Sequence, residues 1–340
     1  MEFGVFYQLP CAVEQTPVAR FQDTIAQCQL ADELGFDAAW LAELHFNPRF
    51  SVMSAPLMIA AAVAQTTKRI RIGNAVNLLP LHQPVRLAEE AATLDVLSNG
   101  RAIFGVGRGS MPSHFQGYGI DQEEGRDRFL EALEVVLGSW KSEDFTYQGK
   151  YYQAQGYPVT PRPVQQPHPP VYVAANSADT FGIVGSLGHN ILVAPTIVTT
   201  EGALSGLASY RAELAENGHD PADSMVNVNV PVHVATDEKE ARAGFTKTID
   251  NYLGTLRDIG IARGASRGSS RADSLTAESV MDEFAAVGTP DQVAAKLEKV
   301  IGLYGPQEIM CWFNIGGMVP HAEVESSMRL FAKEVMPRFQ

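Results

Sequence analysis

Eight short apolar runs, separated by stretches with helical periodicity, set the tightest limit on how this chain folds. The runs fall at residues 2–8, 38–41, 70–76, within 98–110, and at 171–175, 190–193, 226–234 and 308–314. Runs of that length, bounded by turn residues, read as buried strands. Helical patterns occupy 17–34, 55–65, 84–97, 126–140, 201–217, 237–258, 290–304 and 321–335, and another helix follows 176–180. Parallel strands need a crossover connection, usually a helix, so this alternation predicts a parallel sheet. Eight repeats predict a closed (β/α)8 TIM barrel, with a doubly wound open sheet as the alternative.

Two interruptions stand out. After strand 4, residues 145–152 look like a small hairpin and 157–170 are proline-rich. After strand 7, residues 262–274 are rich in Gly, Ser and Arg and lack periodicity, which reads as a mobile loop and a candidate lid. Its Arg263, Arg267 and Arg271 are more simply solvated than anion-binding. Both segments read as insertions on the barrel, so residues 1–340 are expected to form a single domain.

Bulk composition narrows the function. With 45% hydrophobic residues the chain can bury a large core. A balance of 39 acidic to 26 basic residues, net −13, argues against a nucleic-acid partner, which needs a basic face. No apolar run approaches the roughly 20 residues of a membrane span, and the chain opens on a strand-like segment instead of a signal peptide. Cys11, Cys28 and Cys311 are far apart and odd in number, which fits a reducing cytoplasm better than a disulfide framework or a zinc site.

Candidate chemistry gathers just after the strands. Strand 4 runs into Gly105-Val106-Gly107-Arg108-Gly109-Ser110. This is not a dinucleotide fingerprint, because the third glycine position of G-x-G-x-x-G holds Ser110 and Met111-Pro112 follows. The glycines let backbone come close to a ligand, and Arg108 offers a planar fork suited to phosphate or carboxylate. After strand 5, Asn176-Ser177-Ala178-Asp179-Thr180 reads as ordinary helix capping and equally as a phosphate grip at a helix N-terminus. Arg126, at a helix start, is a candidate second cation. Gly73-Asn74-Ala75, after strand 3, reads either as a turn closed by Asn74 or as a backbone surface carrying a flat ring. After strand 2, His45 of Glu43-Leu44-His45-Phe46 is either a hydrogen-bonded strand-end histidine or a proton donor beside a cofactor, with Glu43 as its orienting partner or a satisfied core acid. No second ligand sits at metal-binding spacing. Tyr7, Phe115, Tyr118 and Trp312 are candidates to line an apolar pocket.

Along nearly its whole length the chain resembles the bacterial luciferase-like family of flavin-dependent oxidoreductases. The matching stretches are 30–46, 81–90 (Leu81-His82-Gln83-Pro84-Val85-Arg86-Leu87-Ala88-Glu89-Glu90), 94–109 and 313–337. The resemblance implies a TIM barrel that binds reduced FMN or, in other branches, the deazaflavin F420. It further implies that Arg108 with Asn176-Ser177-x-x-Thr180 holds the flavin phosphate and that Asn74 and Ala75 lie behind the ring, beside Gly107. Glu43-Leu44-His45-Phe46 is nearest the monooxygenase branch, which shows Glu-His-His-Phe. Where the luciferase α subunit has its catalytic histidine this chain has Leu44, and His45 matches the second of the pair. Gly107 replaces a cysteine and Asn176 an acid.

The implied function is a two-component FMN-dependent monooxygenase. Reduced FMN comes from a separate flavin reductase, and a small organic substrate is oxidised by O2 through a flavin C4a-peroxide, by Baeyer–Villiger, aldehyde or hydroxylation chemistry. F420-dependent hydride transfer and a non-catalytic partner subunit are the alternatives, and a homodimer is expected from the resemblance.

Overall fold

A computed structural model describes residues 1–262 and 274–340. Eight parallel strands form a closed barrel: β1 (Glu2–Tyr7), β2 (Ala38–Leu41), β3 (Arg71–Asn74), β4 (Ala102–Gly107), β5 (Val171–Ala174), β6 (Asn190–Val193), β7 (Val226–Val234) and β8 (Glu308–Trp312). Each strand pairs with the next in sequence, and β8 closes on β1 through Glu2↔Glu308 to Val5↔Cys311. The TIM barrel read from the sequence is therefore the fold.

The connecting helices start and stop on local signals. Helix Pro17–Leu34 begins with proline in its first turn, is capped by the Thr16 side chain and ends at Gly35 with φ 94°. Helix Pro84–Ser98 ends at Asn99, φ 56°, which turns the chain into β4. The barrel interior closes around Trp40. A Cβ on Gly105 would stand 1.7 Å from the Asn74 carbonyl oxygen, and one on Gly73 would stand 2.6 Å from the Trp40 ring. Gly105 is thus required by the packing of β3 on β4 rather than by a ligand.

Both long connections carry extra elements. Between β4 and β5 lie helices Pro112–Gly117 and Gly125–Lys141 and the antiparallel hairpin Thr146–Gln148/Gln153–Gln155. Between β7 and β8 lie helix Glu238–Ala262, helix Ala277–Glu283, the short strand Ala286–Gly288 and helix Pro290–Tyr304. Residues 263–273, with Arg263, Arg267 and Arg271 of the proposed lid, lie outside the described residues. The elements after β7 build a second apolar cluster beside the barrel core, including Phe245, Tyr252, Leu253, Val280 and Trp312.

Three of the differences from the sequence reading lie near the mouth of the barrel. Strand 3 was expected to reach Val76 but stops at Asn74, because the Glu43 carboxylate takes the Leu78 amide (2.8 Å) and the Asn77 side chain takes the Gly105 carbonyl (2.9 Å). Strand 8 stops at Trp312, since the Asn314 amide closes a turn on both backbone groups of Val319. Helix Pro112–Gly117 was not anticipated; six residues carry too little periodicity to read. The three cysteines are buried and free. No helix among the described residues is long and apolar enough to cross a membrane.

Candidate active site

The carboxyl ends of the strands open on a cavity of about 700 Å³. That lies within the roughly 300–1,000 Å³ usual for small-molecule sites. Its position matches the face on which barrels of this type keep their chemistry.

One side of the cavity gathers two guanidinium groups and a helix start. Arg108, Arg126, Asn176, Ser177 and Thr180 all line it. Arg108 leaves the end of β4 and packs by Gly125, where a Cβ would stand 3.6 Å from Arg108 Cγ. Arg126 follows in the next position and reaches Asp179 at 3.6 Å, at the start of helix Ala178–Ser186. The Ser177 hydroxyl bonds to that of Thr180 (2.8 Å) and caps no helix amide, so the positive end of the helix faces the cavity without a side-chain cap. Arg108 makes no ion pair or hydrogen bond among the described residues, whereas Arg128 is paired with Glu124. An exposed guanidinium next to an uncapped helix start is a ready anion site.

Behind this edge, Ala75 and Val76 line the cavity as the backbone leaves β3. Gly107 lines it too, and a Cβ there would stand 2.5 Å from Val76 Cγ2. Asn74 does not line the cavity; it is buried, and its Nδ2 makes no hydrogen bond among the described residues.

Next to the apolar floor sits a histidine cluster around Glu43. Its carboxylate accepts from His45 Nε2 (2.9 Å), His82 Nε2 (2.8 Å) and the Leu78 amide (2.8 Å). Burial works to raise its pKa, but the bonds from His45 and His82, the charge on His82 and the Leu78 amide outweigh it and hold the group at about 2. An ionised carboxylate only accepts, so both imidazoles carry their proton on Nε2. The pKa of His82 is correspondingly raised: burial pulls it down, and Glu43 more than compensates.

Glu43 and Leu44 line the cavity; the His45 ring does not. It lies behind Glu43, with the Tyr118 hydroxyl 3.4 Å from its Nδ1, and touches the cavity lining through that carboxylate and through the His114 ring, 5.3 Å away and edge-on. His114 does line the cavity, and its Nε2 accepts the His45 backbone amide at 3.2 Å. Neither His82 nor His114 stood out as a site residue in the sequence. They lie 39 residues from Glu43 and 69 from His45, on a short turn and a six-residue helix. Of the aromatic candidates, Trp312 lines the cavity, whereas Tyr7, Phe115 and Tyr118 do not. Among the described residues no group of three or more His, Cys, Asp or Glu side chains is placed to hold a metal ion.

The profile of the luciferase-like monooxygenases matches residues 1–305. The chain belongs to that family. It is 27% identical over 350 residues to the oxygenase component of the flavin-dependent trigonelline monooxygenase of Acinetobacter baylyi, covering 100% of this chain and 96% of that one. Among solved structures, monooxygenase RslO1 of Streptomyces bottropensis superposes with a TM-score of 0.89 at 28% identity, covering 100% of both chains. The oxygenating constituent of 3,6-diketocamphane monooxygenase of Pseudomonas putida, a Baeyer–Villiger enzyme solved with FMN, gives a TM-score of 0.84 at 22% identity, covering 100% of this chain and 99% of that one. At that identity it supports the fold alone.

Proposed function

We propose that this luciferase-like protein is the oxygenase component of a two-component monooxygenase that takes reduced FMN from a separate reductase and oxidises a small organic substrate with O2. The observation that carries the reading is Arg108: a guanidinium on the cavity wall, uncommitted among the described residues, beside a helix start whose Ser177 caps nothing. The donor set fits a phosphate monoester, with Arg108 and the helix amides as the main contacts and Ser177 and Thr180 as hydroxyl donors. Arg126 contributes less, being half-exposed and already turned to Asp179. Ala75, Val76 and Gly107 supply a flat apolar face on which a ring system rests. When bound, reduced FMN supplies the activation of dioxygen.

The chain's own part is placement and exclusion of water. Glu43, locked by three donors, holds the β2 and β3 loops together under the ring. His45 keeps its proton directed at that carboxylate and acts on the site as a positioning residue. A homodimer is part of the proposal and is read from sedimentation of the purified protein.

Anaerobic titration with photoreduced FMN tests the reading. Arg108→Ala is expected to weaken reduced-FMN binding about tenfold to a hundredfold, from the roughly 1.5–3 kcal/mol of a charge-assisted bond. Arg126→Ala is expected to change it by less than about fivefold. Equal affinity in wild type and Arg108→Ala would remove the phosphate site from the account, and binding of F420 in preference to reduced FMN would move the enzyme to hydride transfer.

A further inference from the structure

The wall facing the anion edge has a different chemistry. In the closed strand order, β8 and β1 lie across the mouth from β4 and β5. Phe6 and Trp312 come from those two strands, and the elements after β7 add Tyr252, Leu256 and Leu275, all lining the cavity with Phe50. The rings pack edge-on: Phe6 to Trp312 at 5.0 Å and 88°, Tyr252 to Trp312 at 5.3 Å and 83°. Phe50 stacks on Tyr252 at 5.8 Å and 24°. The side chains of this wall are uncharged. The charged groups lining the cavity, Glu43, Arg108, Arg126 and Asp179 among the described residues, belong to the other edges.

Two hydrogen-bond donors in this apolar wall are uncommitted. The chain has three tryptophans. Trp40 Nε1 donates to Glu308 (2.7 Å) and Trp140 Nε1 to the Ala88 carbonyl (3.1 Å), but Trp312 Nε1 makes no hydrogen bond among the described residues. The Tyr252 hydroxyl makes none either, whereas that of buried Tyr210 donates to the His189 carbonyl (2.8 Å). Trp312 is 3% exposed and Tyr252 6%. Buried indole and phenol groups ordinarily find a partner, and leaving one unmet is unfavourable. Here both face a cavity.

We propose that this wall is the substrate subsite, and that it takes a neutral, mainly apolar ring compound carrying an acceptor oxygen, a ketone in the simplest case, bound through the Tyr252 hydroxyl and the Trp312 indole N–H. Calling the occupant a substrate rests on the monooxygenase reading; the binding itself does not. Burial raises the Tyr252 pKa, so the phenol stays a donor throughout the physiological range. A carboxylate in the same place would lose its hydration with no cation on this wall to replace it.

Equilibrium binding of three probes to the intact protein, with and without reduced FMN, tests this. The probes are 2-tetralone, the hydrocarbon tetralin, and 2-naphthoate. Wild type is expected to bind 2-tetralone at least tenfold more tightly than 2-naphthoate. Tyr252→Phe keeps the ring and removes the hydroxyl; it is expected to weaken 2-tetralone about threefold to tenfold and leave tetralin unchanged. Trp312→Phe is the second variant, with the same pattern expected, and thermal melting shows that each variant is folded. No binding of 2-tetralone, equal binding of 2-naphthoate, or a tetralin loss as large as the 2-tetralone loss would overturn the proposal. Failure of reduced FMN to bind while the Tyr252→Phe pattern holds would overturn the flavin reading and leave the subsite standing.

Discussion

Two buried glutamates, at opposite ends of the barrel, show how little burial alone decides. Glu43 is 3% exposed at the mouth and Glu308 0% exposed at the floor. Glu43 accepts from two imidazoles and a backbone amide and is held at about 2. Glu308 is pushed by burial up to about 7, with nearby Glu2 adding to the push, against the pull of the bond from Trp40 Nε1, of the nearby Arg71 and of the Asn227 side chain. Its other oxygen has no hydrogen-bond partner among the described residues. Gly4 makes room for this carboxyl: a Cβ there would stand 2.5 Å from Glu308 Oε1 and 2.9 Å from Trp40. The two sites differ in their donors and in the charges beside them, and together these decide which carboxyl keeps its charge. The charged one belongs to the site, where it ties the β2 and β3 loops together, and the other packs the floor.

The sharpest way to break this contrast is to remove charge at each end. Glu43→Gln leaves three donors facing an amide whose own N–H groups cannot accept. The expected loss is about 3–5 kcal/mol of stability at pH 7, the usual result of removing one partner from a buried ionic cluster. Urea denaturation measures it, and a loss below about 1 kcal/mol would mean that the cluster is not a structural tie. Glu308→Gln is expected to act in the opposite direction. With its folded pKa raised from 4.5 to about 7, Glu308 binds its proton more tightly folded than unfolded, so wild-type stability falls as pH rises from about 4.5 to 7 and stays reduced above. Glutamine removes that penalty, so the variant gains about 1–3 kcal/mol at pH 8 and little at pH 4.5. A variant less stable than wild type at pH 8 would show that the carboxyl is ionised and well served. For Glu43 the sign reverses: its contribution is present above about pH 4.5 and is lost as pH falls toward 2.

The contrast also marks what the sequence could reveal. Strands and helices were legible because each carries its own periodicity, and eight repeats leave few closed arrangements. Arg108 and the Asn176–Thr180 segment were legible because each sits directly after a strand, where a barrel gathers its loops. Glu43 and His45 were visible as a neighbouring pair. That His45 turns away from the cavity was not, since it depends on His82 and the Leu78 amide arriving from another loop. Gly105 illustrates the opposite error: a glycine in a glycine-rich run leading to an arginine suggests a ligand cradle, yet the Asn74 carbonyl of the adjacent strand dictates it. Tyr252 and Trp312 are far apart in sequence, and helix Glu238–Ala262, bonded to the turn after β8, makes them neighbours. Glu308 reads simply as the first residue of a strand; its seat is set by Gly4 on β1, which leaves it room, and by Trp40 on β2, which donates to it.

Donor count can also be lowered by one without touching the carboxylate. His82→Gln keeps a side chain able to donate to Glu43 but removes the charge that His82 carries when protonated. A group whose folded pKa is raised contributes stability below its unfolded value, about 6.5, and loses that contribution as pH rises through the folded value. His82→Gln is therefore expected to cost about 1 kcal/mol at pH 6, the smallest of these effects because His45 and Leu78 remain on Glu43 and the imidazole is partly exposed. At pH 9, further above the ordinary imidazole range, the charge contributes less and the two proteins should be closer in stability. Paired urea titrations at pH 6 and pH 9 separate the possibilities. An equal loss at both values would mean that the imidazole matters as a hydrogen-bond donor or by its shape, and that backbone and His45 donors alone keep Glu43 charged. A loss confined to pH 6 would mean that the charge on His82 is part of what separates the mouth glutamate from the floor glutamate.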